Sequence, residues 1–250
     1  MDFRKTFDRI PEQFDQYRPR YCPELFAELE KVCGLGAGKT VLEIGPGTGQ
    51  ATEPVLKTGC DYTAIELGEH FTAFMREKFS AYPNFHIING DFEAYPFAEN
   101  AYDLVYSAAT IQWIPEEIAF SKTYKMLKPG GYLAMFMTRS DERTANPALA
   151  DKIDEVYRAH FRVKQEYSCK MVYENALNYG FINWSYREWT SRRTLDAEQY
   201  IAYISTHCAH ITLEEPYKSA YYNGIRAAVQ EAGGITILDT VPLYLVQKPF

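Results

Sequence analysis

The chain has 250 residues, enough for one large domain or a domain with an added segment, and enough to bury a substantial core. Hydrophobic residues make up 46% and charged residues 24%, a balance that excludes a disordered chain. The formal net charge is −7 and no basic run is longer than the pair Arg192–Arg193, so the basic stripe of a nucleic-acid binder is missing and no nucleic-acid partner is expected.

Met1-Asp2-Phe3-Arg4-Lys5-Thr6 carries charges where a secretion signal needs an apolar run. No stretch approaches the roughly 18 to 20 apolar residues of a membrane span, so no membrane partner is expected. The five cysteines, Cys22, Cys33, Cys60, Cys169 and Cys208, are odd in number and never spaced C-x-x-C, which argues against a disulfide framework or a structural zinc site. Free thiols in a reducing cytoplasm are the expectation.

The first 39 residues precede the regular alternation. Thr40–Ile44 reads as a strand ending in glycines, and Gln50–Lys57 as the helix after it. Tyr62–Leu67 is a second strand. Glu69–Ser80 places Phe71, Phe74, Met75 and Phe79 at helical spacing. Phe85–Asn89 and Tyr102–Ala108 are the third and fourth strands, and a helix runs from Pro115 to about Leu127. Lys128-Pro129-Gly130-Gly131 reads as a stop and turn before a fifth strand, Tyr132–Met137. Arg139–Pro147 is polar and loop-like. Helices are expected at Ala148–Phe161, Ser168–Tyr179, Ala197–Ile204 and Pro216–Ala232. Asn183–Thr194 reads as a strand pair or one long strand, and Ile235–Val246 as a strand or two broken at Pro242.

Strands alternating with helices, with near-continuous apolar runs in the fourth and fifth strands, predict an open parallel sheet covered on both faces. Ligands of such sheets bind beyond the carboxyl ends of the strands. There lies Val41-Leu42-Glu43-Ile44-Gly45-Pro46-Gly47-Thr48-Gly49, whose glycines permit a tight turn and bare backbone against a ligand. A phosphate-binding P-loop would continue Gly-Lys-Ser/Thr, but Gln50 follows Gly49. A dinucleotide fingerprint would read G-x-G-x-x-G, but the spacing here is G-x-G-x-G; that reading is weakened and stays open.

The segment E-x-G-x-G-x-G, with Glu43 as its acid and Gly45, Gly47 and Gly49 as its glycines, resembles the first motif of class I S-adenosylmethionine (SAM)-dependent methyltransferases. Further motifs resemble that family in order: Glu66 ending the second strand, Asn89-Gly90-Asp91-Phe92 after the third, Tyr102-Asp103-Leu104-Val105 in the fourth, and Leu127-Lys128-Pro129-Gly130-Gly131 before the fifth. The resemblance implies SAM as cofactor. It implies Glu66 on both ribose hydroxyls, Asp91 on the adenine amino group, the backbone N–H of Phe92 on the adenine ring, and Glu43 near the cofactor's amino end. A carboxylate suits two neighbouring O–H donors, although a nicotinamide enzyme wants the same acid. Residues 15–26, beginning Asp15-Gln16-Tyr17-Arg18-Pro19-Arg20-Tyr21, and the tail from about Tyr203 to Lys248 are similar to the trans-aconitate methyltransferase-like subgroup, where the first segment closes over the cofactor.

The implied fold is Rossmann-like α/β: a doubly wound, mostly parallel seven-stranded sheet with a helical N-terminal lid and an inserted substrate-side elaboration. Its expected parts are a lid segment (1–39), a SAM-binding core (40–138), the elaboration (139–215), and a final helix and strand completing the sheet (216–250). Ser107-Ala108-Ala109-Thr110 lacks the Asn/Asp-Pro-Pro-aromatic set of nucleobase amino-methylases, and no Pro-Cys pair offers a pyrimidine nucleophile. Gln112-Trp113 stands where many relatives carry His-Trp, and Gln cannot take a proton at neutral pH. Trp113 lines a transfer site or packs a helix start. Tyr17 and Tyr21 read as lid residues, with Arg18 as an anion ligand or an exposed arginine. His207-Cys208-Ala209-His210 lacks a second cluster, so His207 reads as a structural residue ahead of a pocket wall or proton acceptor.

No catalytic residue is identified; Tyr17, Trp113 and His207 are the candidates. The expected function is transfer of a methyl group by in-line displacement to an oxygen or nitrogen of a small-molecule acceptor. A non-catalytic SAM-binding sensor or partner subunit is the alternative. An RNA or protein methylase and a nicotinamide oxidoreductase are the further rivals. An acidic acceptor would need cations such as Arg18, Arg20 and Arg139.

Overall fold

A computed structural model describes residues 3–163 and 171–250. Met1, Asp2, Cys169 and the first part of the expected helix Ser168–Tyr179 lie outside the described residues. The chain divides into two compact units: residues 19–138, 171–189 and 241–250 form a sheet unit, and residues 3–18, 139–163 and 190–240 form a second, mainly helical one.

In the sheet unit, β1 (Thr40–Ile44), β2 (Asp61–Glu66), β3 (Phe85–Asn89), β4 (Tyr102–Ala108) and β5 (Leu127–Phe136) are joined in the order β3-β2-β1-β4-β5, all parallel. Residues 243–247 of β8 (Ile235–Gln247) pair antiparallel with β5. One face is covered by α2 (Pro23–Cys33), α3 (Thr52–Leu56) and α4 (Glu69–Lys78), which bury Leu25, Leu29, Val55, Leu56 and Met75 against the sheet. The other carries α5 (Glu116–Met126) and the 3₁₀ turn Tyr173–Tyr179, burying Phe120, Met126, Tyr173 and Ala176. Helix α2 shows why such a segment docks. Leu25, Leu29 and Cys33 recur every fourth residue on one buried stripe, Pro23 opens the helix, and Gly34 ends it in the left-handed region at φ 61°.

The second unit packs α6 (Pro147–His160), α7 (Ala197–Ile204), α8 (Cys208–Ile211) and α9 (Tyr217–Glu231) around Leu149, Phe161, Tyr203, Tyr221, Ile225 and Val229. Helix α1 (Pro11–Tyr17) also belongs to it. A full capping box opens α7: the Asp196 carboxylate accepts from the Gln199 N–H at 2.8 Å while the Gln199 side chain accepts from the Asp196 N–H at 3.0 Å. The described residues form eight strands, mostly parallel in the Rossmann-like part, counting β6 (Arg139–Asp141) and β7 (Ile182–Leu195).

Four local expectations are corrected. The helix after β1 does not begin at Gln50 but at Thr52. Pro54 has no N–H to bond the Gln50 carbonyl, so it can sit only in the first turn. Lys128-Pro129-Gly130-Gly131 is not a turn ahead of β5 but part of it, because the Gly130 N–H donates to the Lys248 carbonyl at 3.0 Å and the Lys248 N–H to the Gly131 carbonyl at 2.8 Å. Residues 139–141 form a strand rather than loop, pairing with Leu238–Thr240 of β8. Finally, β8 is unbroken at Pro242, which sits between the residues that pair β6 and those that pair β5, where no N–H is required for either ladder.

Candidate functional site

The carboxyl ends of β1, β2 and β3 and the turns that follow them carry the motif residues Glu43, Gly45, Gly47, Gly49, Glu66, Asp91 and Phe92, all within the sheet unit. The turn after β1 runs through three left-handed glycines, with φ 63° at Gly45, 59° at Gly47 and 84° at Gly49. Packing independently demands two of them. A Cβ on Gly45 would lie 2.3 Å from Thr110 Cγ2, and one on Gly49 2.7 Å from the Phe79 ring. Gly47 is the crest, and its N–H donates to Glu66 Oε2 at 3.0 Å.

Glu66 ends β2, is only 7% exposed, and also accepts from the Gly68 N–H at 2.8 Å through Oε1. Its carboxylate is therefore held rigidly beside the glycine turn by two backbone donors. Side chains around it fix the rest. Lys78 Nζ donates to the Thr48 carbonyl at 2.9 Å, Thr110 Oγ1 to the Gly45 carbonyl at 2.9 Å, and Asn89 Nδ2 to the Glu66 carbonyl at 3.0 Å. Sequence reasoning missed Lys78, Thr110 and Asn89 as holders of the turn. Asn89 and Thr110 lay inside quoted segments, and their position at or just after a strand end was the available signal.

Near the end of β4, Ser107 Oγ accepts from the Ile111 N–H at 2.9 Å and donates to the Ile44 carbonyl at 3.3 Å, joining the ends of β4 and β1. Between them Ala109 stands at φ 61°, an unfavourable backbone for a residue with a Cβ, held by its N–H to the Phe136 carbonyl at 2.8 Å. Trp113 is half-buried in the short turn Ile111–Trp113, and the buried Gln112 Oε1 meets no hydrogen-bond donor.

Asp91 turns the chain after β3: its Oδ1 accepts from the Glu93 N–H at 2.9 Å. Phe92 is buried, against Phe97 at 5.7 Å, with Lys122 Nζ 5.2 Å above its ring. Burial lowers the Lys122 pKa against the pull of Asp91 and Glu93. Glu43 has no exposed surface and faces Thr52, Tyr62 and Tyr106 inside the core. Desolvation pushes its pKa up to about 7, the hydrogen bonds from Thr52 and Tyr62 notwithstanding.

Asp103, the acid of the fourth-strand motif, sits at the opposite end of the strands. Lys128 at 2.6 Å, Lys39 at 3.2 Å and the Thr40 N–H at 2.9 Å surround it. Burial alone would raise this carboxyl, but these donors outweigh it and hold it well below the usual carboxylate range. Asp103 thus ties the amino ends of β1 and β4 to the start of β5, at the end opposite the glycine turn.

Tyr17 and His207 belong to the helical unit, and the motif residues to the sheet unit. Arg18 donates to the Thr206 carbonyl at 2.9 Å and covers the Phe14 ring at 5.0 Å. His207 packs edge-on against Tyr203 at 4.9 Å and lies 5.8 Å from His210. Burial, then the Arg18 charge, holds both imidazoles below their ordinary range, His210 at about 4. Among the described residues, no group of three or more His, Cys, Asp or Glu could hold a metal ion, and no helix is long and apolar enough to cross a membrane. Among the described residues, Cys22, Cys33, Cys60 and Cys208 stand outside any disulfide.

Residues 42–135 match a family model described as a methyltransferase domain. The chain is 33% identical over 140 residues to a malonyl-[acyl-carrier protein] O-methyltransferase of Marinomonas sp. (strain MWYL1), covering 54% of this chain and 51% of that one. It is 23% identical to a demethylmenaquinone methyltransferase of Tropheryma whipplei (strain Twist), covering 75% and 77%. The chain spans about half the length of the curated relatives it matches first. Among solved structures, a Haemonchus contortus phosphoethanolamine N-methyltransferase 2, in complex with phosphomonomethylethanolamine and S-adenosylhomocysteine, superposes with TM-score 0.59 at 17% identity, over 100% of this chain and 61% of that one, a likeness of fold.

Proposed function

Because this chain belongs to the class I SAM-dependent methyltransferases, we propose that it transfers a methyl group from SAM to an oxygen or nitrogen atom of a small-molecule acceptor. The observation that carries the reading is the rigid pairing of the Glu66 carboxylate with the bare crest at Gly47. A carboxylate there suits two vicinal hydroxyls, and a crest without side chains suits a ligand lying against backbone. Glu66 would hold the ribose, Asp91 the adenine amino group, and the backbone N–H of Phe92 the adenine ring. Gly45, Gly47 and Gly49 would shape the seat of the amino-acid end. Glu43, wholly buried, would act on that end through the turn it supports rather than by touching an ammonium.

When bound, the sulfonium cofactor supplies an electrophilic methyl carbon. The residues of this chain bind, orient and exclude water. An in-line displacement by a carboxylate needs no base, and one by a phenol or amine at most a weak one. No catalytic group is therefore required of Tyr17, Trp113 or His207. Of the three, Trp113 belongs to the same unit as the motif cluster and is the candidate wall of the transfer site.

The remaining assignments extend the reading. Residues 1–39 serve as the closing segment, 40–138 as the cofactor core and 139–215 as the acceptor side; of the expected last part, 216–250, residues 243–247 extend the parallel sheet while its helix belongs to the helical unit. The free thiols and the net charge of −7 support a cytoplasmic enzyme without a nucleic-acid partner. The test is calorimetric titration of the purified chain with S-adenosylhomocysteine, alongside Glu66→Ala. Micromolar binding that weakens at least about tenfold in the variant is expected, since a charged hydrogen-bond acceptor is lost. A folded wild-type chain without affinity would overturn the reading, and preferential binding of NAD(H) would replace it.

A further inference from the structure

Beneath the glycine turn lies a polar group of side chains that the proposed chemistry does not use. Glu43, Thr52, Tyr62 and Tyr106 are all fully buried. Thr52 Oγ1 donates to Glu43 Oε2 at 2.5 Å, the Tyr62 hydroxyl donates to the same oxygen, and the Tyr106 hydroxyl bonds that of Tyr62. The Tyr106 hydroxyl also reaches the Ala51 carbonyl at 3.4 Å. Glu43 Oε1 meets no donor.

The placement of these four residues matters more than their number. Glu43 is two residues before Gly45, where the turn leaves β1. Ala51 and Thr52 are where it rejoins regular structure as α3. Tyr62 stands on β2 and Tyr106 on β4, the two strands flanking β1. Entry and exit of the turn are therefore clamped to each other and to both neighbouring strands by one hydrogen-bonded group. The crest is held separately, by Glu66, Lys78 and Thr110.

Sterically, phenylalanine would serve the core as well as tyrosine at either position. Tyr106 stacks on Phe136 at 5.8 Å and Tyr62 lies against Phe85 at 5.9 Å, contacts that need no hydroxyl. Burying two phenols and a carboxyl is costly unless they are mutually bonded. We infer that Tyr62 and Tyr106 are positioning residues for the cofactor turn, acting through Glu43 and Thr52 to fix residues 45–51 in the conformation that receives the cofactor. The inference rests on the proposed cofactor reading for its ligand, but not for the order of the turn.

Tyr106→Phe and Tyr62→Phe test it, with Leu29→Val as a control that loosens the same core from α2 without touching the group. Two measurements are made at a temperature where all chains are folded: amide hydrogen exchange across residues 45–51, and calorimetric affinity for S-adenosylhomocysteine. The tyrosine variants should speed exchange in 45–51 and weaken affinity about tenfold, the loss expected for one buried hydrogen bond. Leu29→Val should leave both within twofold. Exchange in 45–51 no faster in Tyr106→Phe and Tyr62→Phe than in Leu29→Val would overturn the inference. Faster exchange with full affinity would overturn the link to the ligand. Faster exchange in a chain whose wild type binds no S-adenosylhomocysteine would sink the cofactor reading, while positioning of the turn would stand.

Discussion

In the sheet unit the most deeply buried ionisable group of the site is an acid, Glu43, whose pKa burial raises to about 7. In the helical unit two half-buried bases, His207 and His210, are pushed down by burial and Arg18, His210 to about 4. In both units burial disfavours the charged form of these groups. Around Glu43 the hydroxyls are already placed to meet a carboxylate, whereas the His210 Nδ1 and Tyr222 Oη atoms are buried without partners although their rings lie 6.2 Å apart. One unit is built around a fixed backbone turn, the other around aromatic packing.

That contrast predicts where a single methyl group does most harm. Gly45→Ala would place its Cβ 2.3 Å from Thr110 Cγ2 at a φ of 63°. Strain of roughly 1–2 kcal/mol from the backbone and more from the clash should distort the turn. Affinity for S-adenosylhomocysteine should fall at least about 100-fold, some 2.7 kcal/mol. Adding Thr110→Gly should recover part of it by opening the space. Equal damage to hydrogen exchange in α7 and α9 would show that the turn is not the only thing disturbed and would break the contrast.

A second test sharpens it through pH. Glu43 binds its proton more tightly in the folded chain than at its ordinary 4.5, so its contribution is full below pH 4.5 and is lost as pH rises through about 7. His210 binds its proton less tightly when folded than at 6.5, so stability is retained above pH 6.5 and is lost as pH falls towards about 4. Each effect is on the order of 3 kcal/mol at most. Acidification from pH 7 to 5 should therefore strengthen the Glu43 region while weakening the His210 region. The check is Tm against pH for Glu43→Gln and His210→Phe beside wild type. Relative to wild type, the first should lose the decline between pH 4.5 and 7, and the second the decline between 6.5 and 4. Glu142, raised by burial in the helical unit, opposes the histidines, which is why single variants are compared rather than whole curves. Parallel curves for all three chains would refute the assignment.

Much of the sheet unit was legible in the sequence because the central strands β1 and β4 are largely buried and spell apolar runs, while the edge strand β3 shows itself by its Ile87–Ile88 pair between turns. The bounds of β1, β3 and β4 coincide with the reading of Thr40–Ile44, Phe85–Asn89 and Tyr102–Ala108. What escaped depends on partners distant in the chain. β6 exists because Leu238–Thr240 pairs with it, and Gly130–Gly131 are strand because Lys248 bonds them. The reach of Pro54 back to Gln50 was readable but easily passed over behind a helix-like composition. At the site, the motif spacing located Gly45, Gly47, Gly49 and Glu66 on one turn and its neighbouring strand. It could not reveal that Glu43 looks into the core, since that requires knowing that Tyr62 and Tyr106 flank it. Nor could it show that Gly45 and Gly49 answer to Thr110 and Phe79.

The smallest predicted effect concerns Ala109. Its φ of 61° is a conformation in which a Cβ costs roughly 1–2 kcal/mol, while Asn100 and Asn183, at 53° and 55°, belong to a residue type that tolerates it. Ala109→Gly would relieve that strain and add about 0.5–1 kcal/mol of backbone freedom to the unfolded chain. Relief exceeds the added freedom, so stability should rise by some tenths of a kcal/mol to about 1 kcal/mol, a Tm increase of 1–3 °C for a chain of this size. The three hydrogen bonds made by Ser107, Ala109 and Thr110 tie this bend to Ile44, Phe136 and Gly45. If the strain holds the bend ready for a ligand, the more stable variant should bind S-adenosylhomocysteine more weakly, by about twofold to fivefold. Higher Tm with undiminished affinity would mean that the strain at Ala109 is only what it costs to connect β4 to the turn that follows, and that the readiness of the site resides in the hydrogen bonds alone.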